Sequence, residues 1–213
     1  KSFIKRFFDF FISLLIILFL VPLFIVLYIL VKLDSKGDFF FFQERLGKNG
    51  RIFKVFKIRT MTDKVRVADR EILKGDSEVT RMGNVLRRLK IDELPQIINI
   101  FKGDMSFVGP RPCLPNQITE FNEDGKTRIL VTPGLTGLAQ TNGNIYLTWE
   151  ERWKYDRYYV ENLSFFLDIA IVFKSVLIVL LGEQKFLKKP NQKNTKKKNK
   201  TNHKTYDKSI AQI

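Results

Sequence analysis

The sequence is poor in the side chains that carry most covalent and metal chemistry, with one cysteine, Cys113, and one histidine, His203. A single cysteine excludes an internal disulfide and is consistent with a reducing compartment. His203 lies in a tail rich in lysine and asparagine, which excludes Ser-His-Asp, Cys-His and multi-histidine metal sites in the folded body. Walker and GxGxxG loops are also absent from the sequence. Any metal must therefore be bound by oxygen ligands, which favours Mg²⁺.

The positive charge of the chain is distributed unevenly. Residues 185–213 contain ten lysines and one acidic residue, so they carry +9 of the total net charge of +15. This composition predicts a disordered tail that contacts anionic lipid. The length of 213 residues favours one folded domain with appendages, and we assign that domain to residues 36–184.

Residues 10–31 form a long apolar segment without a charged side chain. As a helix this segment reaches roughly 30 Å, enough to span a bilayer. Pro22 near its middle predicts a kink, and basic residues flank both ends, so the positive-inside bias is nearly symmetrical. Two topologies remain open for this anchor (residues 1–35): a re-entrant helix hairpin that bends at Pro22 and returns to the same face, and a kinked transmembrane helix.

The body combines short strand patterns with helix patterns, which predicts an α-rich α/β fold with a small β-element. Residues 62–78 are polar and predict a mobile loop with a short helix. The last apolar segment is interrupted by Asp168, Lys174 and Ser175, which favours an interfacial amphipathic helix, or one packed on the body, over a membrane span. We expect strands at 39–42 and 51–59 with a turn between them, and helices at 79–90, after Pro95, at 149–159 and at 163–181.

Residues 91–95 hold two adjacent carboxylates, Asp92 and Glu93, ahead of Pro95. Proline is tolerated in the first turn of a helix, so a second helix is expected to start here. Aspartate is a favoured N-cap, and the helix dipole would keep its carboxylate ionised. The pattern therefore leaves two roles open for Asp92, which are the helix cap and an enzymatic nucleophile.

Several basic residues are candidates for binding phosphate. Lys57 and Arg59 share one face of the predicted strand, where a solvated surface is the alternative. Arg87 precedes Asp92 by five residues and could reach the same site if the chain bends between them. Pro110 and Pro112 stiffen the backbone on both sides of Arg111, so its guanidinium is either pre-placed for bidentate contact with phosphate or exposed on a rigid loop.

A turn-rich stretch rich in glycine and asparagine follows at residues 131–144. Its many donors could hold a nucleotide or a sugar, although such loops often serve only as turns. The candidate nucleotide- or sugar-binding residues are Gly134, Thr136, Gly137, Gln140 and Asn142.

Taken in order, these motifs resemble the bacterial sugar transferases, the small monotopic phosphoglycosyl transferases. The resemblance covers residues 1–182, and the stretch 92–112 is its most specific part. It rests on Arg87 and on the segments FKVFKIRTM (53–61), IDELPQ (91–96), FKGDMSFVGPRP (101–112), PGLTGLAQ (133–140) and DRYYV (156–160).

The resemblance implies an enzyme that moves a sugar phosphate from a UDP-sugar to a polyprenyl phosphate, usually undecaprenyl phosphate, and releases UMP. It implies that Asp92 attacks the β-phosphorus to form an aspartyl phospho-sugar intermediate, with Mg²⁺ required and contacted by Asp92. Arg111 is implied to hold phosphate, with Pro110, Arg87, Lys57 and Arg59 around it. Adjacent helical residues face different ways, so Glu93 is expected to orient Asp92 or to assist its deprotonation.

The same resemblance implies a re-entrant anchor and a catalytic domain facing the cytoplasm at the inner membrane. The product would pass to downstream glycosyltransferases of capsule or exopolysaccharide assembly, and no nucleic acid is involved. Two positions depart from the family pattern: Val21 precedes Pro22 where a serine is frequent, and Asn144 follows Gly143 where an arginine is frequent. The alternatives are a non-catalytic basic adaptor that binds anionic lipid or nucleic acid, an inactive relative, and a glycosyltransferase that releases UDP.

Overall fold

The computed structural model describes residues 2–62 and 78–182. The predicted loop at 62–78 lies almost wholly outside these residues, and the predicted basic tail lies outside them entirely. The strands are β1 (Phe40–Leu46), β2 (Ile52–Ile58), β3 (Ser106–Val108) and β4 (Gly134–Thr136). The α-helices are α1 (Ser2–Asp34), α2 (Arg81–Arg88), α3 (Gln96–Lys102), α4 (Glu123–Thr127), α5 (Leu138–Thr141), α6 (Trp149–Glu161) and α7 (Phe165–Leu181).

The prediction of an α-rich α/β fold is confirmed. Two small sheets are present in the described residues: β1 and β2 form an antiparallel hairpin, whereas β3 and β4 pair in parallel. The first predicted strand was too short, because residues 43–46 extend β1 rather than form a turn. Leu46 pairs with Ile52 at the closed end of the hairpin, and its side chain is buried against Trp153 and Phe121.

Helix α1 is a single helical segment with Pro22 inside it. By length and composition it is the one helix among the described residues that could cross a membrane, with a mean hydropathy of 3.3 over its most apolar window. The large apolar side chains in its middle are exposed, including Leu18 and Phe19. Because α1 is assigned as one helix through Pro22, the re-entrant hairpin and the bend at Pro22 stay predictions.

Both ends of α1 nonetheless pack on the same body. Near its start, the Arg6 guanidinium donates to the carbonyl oxygens of Ile100 and Phe101 on α3, both at 2.6 Å. Near its end, Leu27 and Val31 are buried in a cluster whose other members come from the hairpin and from α2: Phe39, Ile58 and Leu86. The body thus holds the two ends of the apolar helix on adjoining elements, α3 and the β1–β2 hairpin.

Helix α3 is fixed to the hairpin by Asn99, whose side chain is fully buried. Its amide nitrogen donates to the carbonyl of Lys54 at 2.8 Å, and its amide oxygen accepts from the backbone N–H of Phe56 at 3.0 Å. Because β2 carries Lys57 and α3 directly follows Glu93, this amide sets the distance between the two halves of the candidate site.

We expect Asn99→Ala to lower the free energy of unfolding by about 2–4 kcal/mol, because it leaves a buried N–H and a buried carbonyl without partners. Thermal unfolding of the solubilised protein should then show a melting temperature lower by roughly 5–15 °C. Asn84→Ala removes an exposed amide on α2 and serves as the control, with little change expected. Equal melting temperatures for the two variants would contradict the role assigned to Asn99.

Candidate active site

The two adjacent carboxylates lie on a short 3₁₀ turn, residues Ile91–Glu93, between α2 and α3. Lys90 precedes the turn in the left-handed region (φ 58°, ψ 18°), which bends the chain after α2. Helix α3 then begins at Gln96 with Pro95 as its N-cap, as the proline predicted. The interpretation of Asp92 as the helix cap is wrong, because it lies before Pro95 and makes no capping hydrogen bond.

Glu93 is held by two cations. The Arg111 guanidinium donates to both of its carboxylate oxygens, with Nη2 to Oε1 at 2.6 Å and Nη1 to Oε2 at 3.3 Å. Lys57 Nζ lies 3.4 Å from the same Oε1. Burial by itself would raise the pKa of Glu93, but Arg111 and Lys57 outweigh it and hold that pKa well below its usual range. Glu93 is therefore a fixed anion that orients Arg111.

Asp92 has the opposite environment. Its carboxylate accepts no hydrogen bond from the described residues, although it lies beside the same cations. Burial and then the negative charge of Glu93 raise the pKa of Asp92, while Lys57, Arg87 and Lys90 oppose the rise. A part-buried carboxylate without hydrogen bonds, flanked by cations, is free to form a bond to an electrophile.

The contrast between the two carboxylates predicts the pH dependence of a Glu93→Gln variant. Activity that needs ionised Asp92 rises with pH through the pKa of Asp92, and Glu93 raises that pKa. Removing the charge of Glu93 lowers the pKa of Asp92, so the acid limb of kcat should move to lower pH. The value of kcat itself should fall about 10²-fold. The measurement is kcat against pH at saturating substrate, with exposed Glu123→Gln as the control. An unmoved acid limb would show that another group titrates.

The predicted phosphate-binding residues divide into two sets. Arg87 donates from Nε to Thr60 Oγ1 at 2.8 Å, and its charge acts on Asp92, so the predicted convergence with Asp92 is seen. Arg59 is buried and its guanidinium donates to the carbonyls of Lys36 and Ser35 after α1. Arg59 therefore ties the anchor to β2, and within residues 2–62 and 78–182 it makes no hydrogen bond to the site around Asp92.

A cleft adjoins the carboxylates and shares Arg111 with them. It encloses about 520 Å³ of empty space, part of it open to solvent. The Arg152 guanidinium stacks on the Trp149 ring at 4.6 Å and donates to the carbonyl of Asn144 at 3.1 Å. Four arginines and one acidic residue line the cleft, which makes it an anion-binding surface: Arg45, Arg111, Pro112, Cys113, Gln117, Arg128, Ala139, Gln140, Asn144, Trp149, Arg152 and Asp156.

Of the residues predicted to bind a nucleotide or sugar, Gln140 lines the cleft and the others do not. Gly134 and Gly137 allow close backbone packing on Gly109, since a Cβ at either position would lie 2.0 Å or 2.2 Å from its backbone atoms. Thr136 and Asn142 instead face helix α7. Thr136 bonds Ser175 at 2.5 Å, and the Asn142 side-chain oxygen accepts from Lys174 at 2.6 Å.

Sequence reasoning missed most of the residues that line the cleft. Trp149, Arg152 and Asp156 follow one another at spacings of three and four along α6, which places them on one helix face, and this signal was available. Burial raises the pKa of Asp156 to about 6, against the opposing charges of Arg128 and Arg152. Arg128 gave no such signal, because it lies in a short 3₁₀ turn, Arg128–Leu130.

Oxygen ligands for a metal are few around Asp92. The described residues contain no group of three or more His, Cys, Asp or Glu side chains that could hold an ion. Both oxygens of Glu93 are occupied by Arg111, which leaves the Asp92 carboxylate as the available protein ligand. This donor set fits Mg²⁺ shared with substrate phosphate and water, since Mg²⁺ is commonly held by one or two carboxylates together with phosphate oxygens.

Sequence comparison finds relatives that match most of this chain. The chain is 42% identical over 153 residues to "Uncharacterized sugar transferase EpsL" of Bacillus subtilis, covering 72% of this chain and 75% of the relative. It is 37% identical over 194 residues to "Exopolysaccharide production protein ExoY" of Sinorhizobium fredii, covering 84% and 86%.

A third relative, from Aeromonas hydrophila, is a "UDP-N-acetylgalactosamine-undecaprenyl-phosphate N-acetylgalactosaminephosphotransferase". It is 38% identical over 188 residues, which are 85% of this chain but 44% of that longer protein. The sequence profile described as "Bacterial sugar transferase" matches residues 1–182, which include both carboxylates, the Arg111 segment and the cleft. The chain therefore belongs to the bacterial sugar transferase family.

Proposed function

We propose that this protein transfers a sugar phosphate from a UDP-sugar to a polyprenyl phosphate, giving a polyprenyl-diphosphate sugar and UMP. The observation that carries the proposal is the pair of unlike carboxylates: Asp92 accepts no hydrogen bond from the described residues, and Glu93 is locked to Arg111. Relatives named as undecaprenyl-phosphate sugar phosphotransferases support the acceptor and the reaction class.

The reaction proceeds in two displacements at one phosphorus atom. An Asp92 oxygen attacks the β-phosphorus of the donor, the bond from that phosphorus to the bridging oxygen breaks, and UMP leaves with the electron pair. An oxygen of the lipid phosphate then attacks the phosphorus of the aspartyl phospho-sugar, and Asp92 is released. Arg111, Lys57 and Arg87 stabilise the charge that develops on the phosphate oxygens.

Asp92 and the phosphate oxygens of the donor would hold Mg²⁺, which would supply further charge neutralisation. Glu93 keeps the Arg111 guanidinium aimed at the diphosphate, through the two hydrogen bonds that it accepts. The uridine lies in the adjoining cleft, where Gln140 offers polar atoms and the Trp149 ring an apolar face. Arg152 brings a cation to the carbonyl of Asn144, the residue that departs from the family pattern after Gly143.

The apolar helices support a location of this site at a membrane surface. The exposed side chains of α7 are largely apolar, as are those in the middle of α1. A straight helix with the length of α1 would extend roughly 50 Å, yet its two ends contact adjoining elements of one body. These contacts support a re-entrant anchor that bends at Pro22, with the catalytic domain on the cytoplasmic face of the inner membrane and the basic residues near anionic lipid.

The test is nucleotide release from a panel of UDP-sugars by detergent-solubilised protein with undecaprenyl phosphate and Mg²⁺. We expect UMP release beyond one equivalent per protein to require the lipid phosphate, and UMP release to stop when EDTA removes the metal. UDP release would indicate glycosyl transfer without the phosphate. Vesicle binding without release from any donor, lost on charge reversal in the 185–213 tail, would favour the basic adaptor.

A further inference from the structure

The Pro-Arg-Pro segment, residues 110–112, has little backbone hydrogen bonding of its own, because proline lacks an N–H. Its three carbonyl oxygens instead accept hydrogen bonds from residues elsewhere in the chain. In chain order they accept from the backbone N–H of Gly134 at 2.9 Å, from Nη2 of Arg128 at 2.7 Å and from Nη1 of Arg45 at 3.3 Å. The middle bond is to the carbonyl of Arg111 itself, so Arg128 acts on the residue that binds Glu93.

The Arg128 guanidinium contacts Asp156 and Phe121 in turn. Its Nη2 lies 3.3 Å from Oδ2 of Asp156, and the two side chains are 6% and 4% exposed. Its guanidinium also lies over the Phe121 ring at 5.5 Å. Its Nη1 is buried without a hydrogen-bond partner in the described part of the chain. A buried pair with an unpartnered donor is weak evidence for a stabilising role, because desolvation offsets the attraction between the charges.

We propose that Arg128, held by Asp156, is a positioning residue that sets the Arg111 guanidinium for the donor diphosphate. This inference rests on the phosphate-binding role proposed above for Arg111. Its chain of contacts runs from helix α6 through Arg128 to the carbonyl of Arg111, and from the Arg111 side chain to Glu93. None of these contacts requires Arg128 to touch the substrate.

The planar guanidinium explains why arginine occupies this position. One Nη2 group reaches both the Asp156 carboxylate and the Arg111 carbonyl, while the guanidinium lies over the Phe121 ring. A lysine ammonium keeps the charge but has a flexible stem and no fixed fork, so it would not hold the carbonyl in one place. A displacement of about 1 Å at a reacting group can cost roughly 10²-fold in rate.

The experiment compares Arg128→Lys in the wild-type and Arg111→Met backgrounds, with donor kinetics and unfolding measured on each purified protein. We expect Arg128→Lys to lower kcat/KM for the donor about 10- to 100-fold in the wild-type background. In the Arg111→Met background the same change should cost less than about 3-fold, because contacting residues are energetically coupled. Arg157→Lys, which alters an exposed arginine on α6, is the matched control.

Equal losses in the two backgrounds would overturn the proposal, since a purely structural residue lowers activity by the same factor in both. No loss in the wild-type background would overturn it as well. If Arg128→Lys does not fold, Asp156→Asn replaces it, with the same coupling to Arg111→Met expected.

A second readout separates this inference from the proposed function. Deuterium uptake by the peptide that contains residues 109–113, whose exchangeable amides belong to Gly109, Arg111 and Cys113, should rise in Arg128→Lys and stay unchanged in Arg157→Lys. If the wild-type protein releases no nucleotide from any donor, the proposed function fails, and the uptake alone decides. Raised uptake then supports the positioning of the Arg111 backbone by Arg128, and unchanged uptake overturns it.

Discussion

Asp92→Asn should abolish UMP release, with a loss of at least about 10³-fold in kcat, and should leave the fold intact. The amide has nearly the shape of the carboxylate but is a very poor nucleophile, so the first displacement has no attacking atom. Stability should change little, because the described residues give the Asp92 carboxylate no hydrogen bond to lose. Removing a part-buried charge beside Glu93 also relieves repulsion between the two carboxylates.

The measurement has two parts. Turnover is followed as UMP release with saturating UDP-sugar and undecaprenyl phosphate. The intermediate is sought by intact-protein mass spectrometry after mixing with UDP-sugar in the absence of the lipid acceptor. The wild-type protein should gain the mass of one sugar phosphate and Asp92→Asn should not. Glu123→Gln makes the same carboxylate-to-amide change on a side chain that is 84% exposed, so it should match the wild type in both measurements.

One result would refute the nucleophile assignment while leaving the reaction in place. If Asp92→Asn released UMP at a rate within about 10-fold of the wild type, the lipid phosphate would attack the donor directly, and Asp92 would serve only to hold metal or orient phosphate. Lipid-dependent turnover without a covalent adduct in the wild type would point the same way.

Local patterns in the sequence predicted the elements that carry the carboxylates, for identifiable reasons. Pro95 marks the start of α3, because a proline at that point suits a first helical turn. The strand pattern at residues 51–59 predicted β2, and residues Ile52–Ile58 form the second strand of the hairpin. The pairing of Arg111 with Glu93 was not predictable, since it joins residues 18 apart through a turn, a helix and a strand.

Tertiary packing also explains where the structure departs from what the local patterns indicated. Asp92 has the residue type of a helix cap, but the left-handed Lys90 and the 3₁₀ turn displace it from the helix terminus. Arg59 has the residue type of a phosphate ligand, but at the end of β2 it meets the carbonyls that follow α1. Thr136 and Asn142 belong to a loop rich in donors, but their side chains meet α7. For Arg59, Thr136 and Asn142, packing supplies protein partners that the local sequence did not indicate.

The side chain of Arg111 connects the carboxylates to the cleft, and Arg111→Lys should therefore lower kcat/KM for the donor about 10²- to 10³-fold. Lysine keeps the positive charge but cannot donate to both oxygens of Glu93 at once. The Arg111 side chain is 46% exposed, and lysine keeps a cation beside the part-buried Glu93 carboxylate, so Arg111→Lys should change the unfolding temperature little. A large loss of activity with an unchanged fold would separate a role in the transition state from a role in stability.

Arg111→Met shows how much of that loss belongs to the charge itself. It removes the main cation that holds Glu93 ionised, and Lys57 remains as the nearer of the other cations. The pKa of Glu93 should therefore rise toward its usual range in this variant, while the loss of activity should exceed that of Arg111→Lys. Arg157→Lys, an exposed arginine paired with Asp124 and Glu161, controls for the loss of a surface guanidinium. Activity in Arg111→Lys within about 3-fold of the wild type would mean that a point charge suffices, and the bidentate contact with Glu93 would then have no part in catalysis.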